Sequence, residues 1–260
     1  MAGQTEENSI KILVLDIEIS PTLATVWGLW GQNIGINQII GNSEVLCWAA
    51  RWVGDETVEF SSIHSTTKRR MLRKIYNLLE KADAVVTYNG KSFDLKILNK
   101  EFALLGWGRP APYKNIDMLQ VVRSQFRFTS NKLNYVAAQF KLGTKTKHAG
   151  HELWLHCMNP RSTEYESSWE TMSTYNKQDV VLLEKLYQRC KGWIPNHPSY
   201  SAFENKHVCP NCGGNHLQSR GKVSSAALSY RRWWCKDCFA WSRSKVADKA
   251  DRRNQLVGVK

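Results

Sequence analysis

The sequence predicts an α/β domain with a mixed sheet, followed by a small module built on paired cysteines. Two observations lead there. Three strand-like stretches come early and close together, and helical patterns then alternate with a short, fully apolar strand of the parallel-sheet kind. Beyond a proline-containing change of composition lie two Cys-x2-Cys units.

Residues 1–9 are polar. The first strand is expected over 11–19 and ends at Ser20-Pro21. Residues 22–43 carry Gly28, Gly31, Gly35 and Gly41 with Trp27 and Trp30 among them, which reads as an irregular loop with a strand near 36–40. Residues 45–53 and 57–63 are strand-like, and Gly54-Asp55 between them is a hairpin signal. Met71, Ile75, Leu78 and Leu79 form an i, i+4, i+7, i+8 stripe that predicts a helix over 66–81. A buried strand follows at 84–87, then a loop at 88–92 and a second amphipathic helix at 93–105. Residues 115–123 read as a strand end running into a helix. Leu133, Val136, Ala137 and Phe140 give helical spacing over 131–140 with Ser130 as the N-cap. A basic loop with Lys145, Lys147 and His148 precedes the longest helix, 167–191.

These elements divide the 260 residues into a domain at 1–194, a linker at 195–206, a cysteine module at 207–244 and a basic tail at 245–260. The formal charge of +13 calls for a polyanionic partner. A membrane is disfavoured as that partner, because no apolar run approaches the ~18 residues of a span and the N-terminus lacks a basic region followed by an apolar core. A cytoplasmic, intracellular protein is expected. Cys47, Cys157 and Cys190 stand alone among apolar neighbours and read as core thiols.

Chemistry enters at Leu13-Val14-Leu15-Asp16-Ile17-Glu18-Ile19. Residues two apart on a strand share a face, so Asp16 and Glu18 lie side by side while Leu15, Ile17 and Ile19 face the other way. Two carboxylates on a core strand repel each other and lose hydration; a hard cation such as Mg²⁺ or Mn²⁺ removes both penalties. The plain alternative is an edge strand whose acids face water. Asp94 sits where a helix begins, a position that the helix dipole favours for any acid. Tyr175 and Asp179 are four apart on the long helix, hence on one face, and Leu182 and Leu183 continue that face into buried positions. An acid there needs a partner or lies at the edge of the stripe.

Together Asp16-Ile17-Glu18, Asn89 with Phe93-Asp94, and Tyr175-x3-Asp179 resemble the three exonuclease motifs of the DEDD superfamily in its tyrosine form. The stretch Tyr88-Asn89-Gly90-Lys91-Ser92-Phe93-Asp94 is most similar to the proofreading domains of family B DNA polymerases and their stand-alone relatives; the histidine form needs His where Thr174 stands. The resemblance covers about residues 11–190 and implies a ribonuclease H-like mixed sheet flanked by helices. It implies a free-standing phage or bacterial nuclease, acting in the host cytoplasm if phage-borne, because 260 residues leave no room for a polymerase domain. The implied activity is 3′→5′ hydrolysis of DNA, single-stranded or at 3′ ends, with RNA as the alternative substrate and a non-catalytic nucleic-acid-binding protein as the rival reading. Asp16, Glu18, Asp94 and Asp179 would hold two Mg²⁺ or Mn²⁺ ions, Tyr175 would orient the attacking water, and Asn89 and Phe93 would touch the substrate strand. Asp117 is a spare acid near the site, outside the catalytic set, and Lys132, Lys145 and Lys147 are candidate phosphate contacts.

Cys209-x2-Cys212 and Cys235-x2-Cys238, with 22 residues between them, suit one tetrahedral Zn²⁺, and a module this small cannot bury a sufficient core unaided. The module resembles a zinc ribbon. His207 and His216 are surplus to the ligand count. From Lys206 to Lys260, twelve basic residues face three acidic ones, a net of +9. Arg231, Arg232, Trp233, Trp234 and Trp241 interleave cations with aromatics as strand-binding surfaces do, although a basic ribbon also suits a protein partner.

Overall fold

The computed structural model describes residues 10–144, 150–203, 207–225 and 228–248. Its contacts divide the chain into two compact units, one of them Lys11–Leu186 and the other running from Tyr187 onward. Among the described residues no helix is long and apolar enough to cross a membrane.

The first unit is built on a five-stranded sheet. Its strands are β1 (Ile12–Ile19), β4 (Val45–Trp52), β5 (Glu59–Ser62), β6 (Ala84–Thr87) and β7 (Lys114–Asp117), in the order β5-β4-β1-β6-β7. A short two-stranded hairpin, β2 (Leu23–Ala24) and β3 (Ile39–Gly41), leaves the sheet between β1 and β4. β1 pairs antiparallel with β4, which pairs antiparallel with β5; on the other side β1, β6 and β7 are parallel. The three early strands and the mixed sheet are therefore as expected. Central β1 is buried on both faces, and its alternation decides what each face carries. Leu13, Leu15 and Ile17 enter a core formed with α1 (Lys68–Leu79) and α2 (Asp94–Leu104). Asp16 and Glu18 face the opposite side.

Helix α1 starts where Thr67 Oγ1 accepts from the Arg70 amide at 3.3 Å, and it buries Met71, Leu72, Ile75, Leu78 and Leu79. Each such side chain contributes roughly 1.5–3 kcal/mol by leaving water. The indole N–H of Trp48 donates to the Met71 carbonyl at 3.0 Å, tying α1 to β4. On the acid-bearing face, α5 (His151–Met158) and α6 (Tyr165–Cys190) supply the cover: Leu153, Cys157, Trp169, Met172 and Tyr175 pack with Leu46 and Cys47 of β4. α3 (Met118–Gln125) and α4 (Leu133–Gln139) complete the unit.

The structure corrects several details. The 36–40 segment is a single 3-10 turn, Ile36–Gln38, followed by β3. Ser130 does not cap α4: the helix begins two residues later after Lys132, with no side-chain cap, and Ser130 Oγ accepts only from the Lys132 amide at 3.4 Å. Helix α5 escaped the sequence reading. Residues 195–206, expected as a linker, include α7 (Tyr200–Phe203), and His197 is buried there, bonded to the Tyr187 hydroxyl at 2.7 Å. The expected basic loop at 145–149 and most of the tail lie outside the described residues.

The second unit contains a three-stranded sheet in the order β10-β9-β8, from β8 (Leu217–Ser224), β9 (Ser229–Cys235) and β10 (Trp241–Arg243). Asn211 Nδ2 donates to the Lys191 carbonyl at 3.0 Å, and a Cβ on Gly192 would fall 2.2 Å from the Cys238 carbonyl oxygen. Only glycine permits that approach, so residues 191–192 are fitted to the second cysteine knuckle.

Candidate active site

Strand β1 and helix α6 bring three acids together. One carboxylate oxygen from each of Asp16, Glu18 and Asp179 lies within 4.8 Å of the others. The pairing of β1 with β4 sets Asp16 opposite Ala49 and Glu18 opposite Cys47, so small side chains leave room beside the acids. Asp179 is almost wholly buried, and Asp16 and Glu18 are half-buried. Three carboxylates at this separation are electrostatically unfavourable alone, and all-oxygen donors suit a hard divalent cation. The donor set therefore fits Mg²⁺ or Mn²⁺.

Tyr175 lies one turn before Asp179 on α6. Burial first, then the charges of Asp179, Glu18 and Asp16 and a hydrogen bond to Asp179, hold its phenol well above the usual tyrosine range. It is thus a hydroxyl donor at every working pH. The edge of Trp154 packs against its ring at 6.1 Å.

Asp94 stands apart from the trio. Its Oδ1 accepts from the Ile17 amide, on the strand between the two β1 acids, at 3.2 Å. Burial, with Asp117 adding like charge, lifts its carboxyl to about 6. Asp117 has a different job: its oxygens accept from the amides of Asn89 at 2.9 Å, Lys91 at 3.2 Å and Leu119 at 3.0 Å. It caps α3 and pins the 88–92 loop. That loop is tight. Asn89 has φ +70°, and a Cβ on Gly90 would meet Thr87 Oγ1 at 2.3 Å.

One participant was missed. Asn176, fully buried between Tyr175 and Asp179 in sequence, donates from Nδ2 to Asp16 Oδ2 at 2.7 Å. Its Oδ1 faces the Cys47 thiol at 3.8 Å. Burial and the charges of Glu18 and Asp16 push that thiol well above its usual range, so it stays protonated and able to donate. Asn176 is thus fixed from behind and orients Asp16. An amide on a helix carries no sequence signal of such a role; its partner lies 160 residues away.

A groove of about 590 Å³ adjoins Asp16 and is lined by Tyr88, Asn89, Arg123, Asn131, Lys132 and Asn134, with Leu119 and Leu133. Asn89 and Lys132 are placed there; Phe93, at the start of α2, does not line it and is partly exposed. Arg123, Asn131 and Asn134 were not singled out in the sequence. Lys145, Lys147 and His148 lie outside the described residues.

In the second unit the four cysteine sulfurs also lie within 4.8 Å of one another, with Cys209–Cys238 at 3.6 Å and Cys212–Cys235 at 3.7 Å. Sulfurs about 2.3 Å from a tetrahedral Zn²⁺ stand about 3.8 Å apart, so the cluster fits that ion. Hydrogen bonds from Cys212 and Cys238 push Cys209 down to about 4. His216 bonds Asp237 at 2.7 Å, and His207 packs on Trp233 at 4.8 Å. Strand alternation separates the expected nucleic-acid contacts. Arg232 covers Trp241 at 4.8 Å and Arg220 covers Trp234 at 5.2 Å. Arg243 covers Tyr230 at 3.9 Å, and Trp234 and Trp241 lie 6.5 Å apart. Arg231 and Trp233 point to the other face of β9, so Arg231, Arg232 and Trp233 do not form one surface.

A family model described as the RNase_H superfamily matches residues 41–191. Strand β1, with Asp16 and Glu18, precedes the matched stretch. No curated protein matches the chain in sequence. Among solved structures, the family B DNA polymerase from the hyperthermophilic archaeon Pyrobaculum calidifontis is similar, with a TM-score of 0.54 and 17% identity over 70% of this chain. The match spans 24% of that polymerase, so the likeness is one of fold. With more than half its length matched and the mixed sheet in place, the chain belongs to the RNase_H superfamily.

Proposed function

We propose that this protein is a metal-dependent 3′→5′ exonuclease that removes nucleotides from the 3′ end of single-stranded DNA. The observation that carries the reading is the convergence of Asp16, Glu18 and Asp179 beside the Tyr175 hydroxyl. In this reading the three acids, with Asp94 alongside, hold two Mg²⁺ or Mn²⁺ ions. When bound, such ions lower the pKa of a water and stabilise the leaving oxygen. The protein's own groups do the rest. Tyr175 stays protonated and orients the attacking water by hydrogen bonding. Asn176 holds Asp16 in one rotamer. Asn89, Lys132 and Arg123 offer donors to the strand in the groove. The ribbon adds a basic, aromatic surface that lengthens the hold on the strand, and its zinc is structural.

The experiment is digestion of 3′-labelled and 5′-labelled single-stranded DNA and RNA with Mg²⁺ or Mn²⁺. Mononucleotides released at once from 3′-labelled DNA, and a shortening ladder from 5′-labelled DNA, are expected. Internal cuts would refute the exonuclease, and degradation of RNA alone would transfer the activity to that substrate.

A further inference from the structure

The loudest unexplained feature is the excursion between β1 and β4. Trp27 is 99% exposed, Trp30 89% and Ile36 89%, and Leu29 and Ile40 are exposed too. The segment is a hairpin held by polar bonds. β2 pairs with β3, Thr25 donates its amide to the Gln38 carbonyl at 2.9 Å, and Gln38 Nε2 returns a bond to the Thr25 carbonyl at 2.9 Å. Gln38 Oε1 also accepts from the Gly35 amide at 2.8 Å. Little of this hairpin rests on burial, so its large apolar side chains are displayed. Contiguous apolar exposure of this kind marks a contact surface.

Two facts identify what touches it. First, residues 19–43 contain no Asp, Glu, Lys, Arg or His, although 23% of the whole chain is charged. The polar side chains there are mainly amides and hydroxyls, including Gln32, Asn33, Asn37, Gln38 and Asn42. Such a surface cannot grip phosphates as ions, and it carries no carboxylate to repel them. It suits the uncharged part of a nucleic acid, the bases, through stacking and amide hydrogen bonds. A membrane surface is disfavoured, since no lysine or arginine is present to meet anionic headgroups. Second, the hairpin is rooted at the acid site. Its stem closes where the Ser20 amide donates to the Glu44 carbonyl at 2.8 Å and the Glu44 amide to Ser20 Oγ at 2.8 Å. Ser20 follows Glu18 by two residues, about 7 Å along a strand. A strand whose terminal phosphate lies at the acids therefore has its last bases within one or two nucleotides of the stem.

We infer that the hairpin of residues 20–44 is a base-stacking platform, on which Trp27 and Trp30 hold the unpaired bases at the 3′ end of a nucleic-acid strand. The inference rests on the nuclease reading for the position of the strand end, but its test reads binding and needs no turnover. The platform grips bases while the groove and the metal site grip phosphates, so it favours unpaired ends over duplex ends, whose bases are already stacked.

The test compares full-length Asp179→Asn protein, with zinc retained, carrying Trp27 and Trp30 or the pair Trp27→Ala/Trp30→Ala. Anisotropy reads binding of a single-stranded oligonucleotide and of the same oligonucleotide with its three 3′-terminal bases removed as abasic sites. Loss of two stacked rings should weaken binding of the intact oligonucleotide by about 10- to 100-fold. The abasic oligonucleotide should bind both proteins equally, and Trp27→Phe/Trp30→Phe should restore most of the affinity. Equal affinity of both proteins for the intact oligonucleotide overturns the platform, and so does an equal loss on the abasic one. If the alanine pair disturbs the hairpin stem, the abasic comparison within the tryptophan and phenylalanine proteins decides alone: unchanged affinity on removing the bases overturns the proposal. Sedimentation covers the remaining occupant. A dimer that becomes monomer in the alanine pair with no change in DNA affinity makes the hairpin a contact between copies and overturns base stacking. Failure of the exonuclease reading would appear separately, as absence of 3′ cleavage while the binding cycle still gives a result.

Discussion

The acid trio and the cysteine cluster are both sets of like-charged metal donors, yet the chain supports them in opposite ways. The carboxylates come from β1 and α6, with Asp16 and its partner Asn176 160 residues apart, and a large core on both faces of the sheet fixes them. The thiols come from two knuckles in a module whose fully buried apolar set is Cys209, Cys235 and Ala240, with Cys212, Leu217 and Cys238 partly buried around it. Most of that cluster is the ligand set itself. The comparison teaches that the α/β unit positions its acids on a core of its own, whereas a ribbon with so small a core would depend on the Zn²⁺ that its cysteines fit.

Zinc removal gives the largest expected effect. Structural zinc contributes about 10–16 kcal/mol in small zinc modules. Stripping it should abolish amide protection across β8, β9 and β10 while β1, β4 and β6 stay protected in hydrogen exchange. A ribbon that keeps its protection without zinc would erase the contrast. Next comes Tyr175→Phe, which removes only the hydroxyl. Its buried phenol stays protonated, so a loss of roughly 10- to 1000-fold in cleavage rate is expected, with metal affinity unchanged. An unchanged rate would reduce the tyrosine to packing.

Asn176→Ala removes the donor to Asp16 Oδ2 and leaves the Cys47 thiol facing a void. A stability loss of about 1–3 kcal/mol, read by urea unfolding, should accompany weaker Mn²⁺ binding. Stability and metal affinity both at wild-type values would mean that Asp16 needs no such support. The last effect, comparable in size but visible only as pH changes, concerns Asp94. Burial raises its pKa from 3.8 to about 6, so its proton is favoured by the fold. Without divalent metal, the stability it confers is complete below pH ~4 and is lost as pH rises through about 6. Relative to Asp94→Asn, the wild type should lose up to about 3 kcal/mol across that window. A flat difference between the two proteins from pH 4 to 7 would show that Asp94 is not strained by burial.

Much of this was legible in the chain because it depends on local periodicity. Period two along β1 puts Asp16 beside Glu18, and a four-residue step on α6 puts Tyr175 beside Asp179. Paired cysteines announce their cluster by spacing alone. What could not be read is long-range. The Ile17 amide that holds Asp94 is 77 residues from it, and nothing local distinguishes Asn176 from any helix amide. One local signal was overlooked: consecutive Arg231, Arg232 and Trp233 on a strand must alternate between faces, so they could not form one surface. Exposure is equally illegible. Trp27 and Trp30 stand in a stretch that reads as an irregular loop, and only the fold reveals that nothing in their hairpin covers them.

The central claim is that Asp16, Glu18 and Asp179 form a site for a hard divalent ion, built by the fold before any ion arrives. The direct measurement is Mn²⁺ titration followed by electron paramagnetic resonance, on zinc-loaded wild type and on Asp179→Asn, with thermal unfolding of both. Saturable Mn²⁺ binding by the wild type, at least ~10-fold weaker binding by the variant, and melting temperatures within a few degrees without Mn²⁺ are expected. Equal Mn²⁺ binding by the two proteins would contradict that claim.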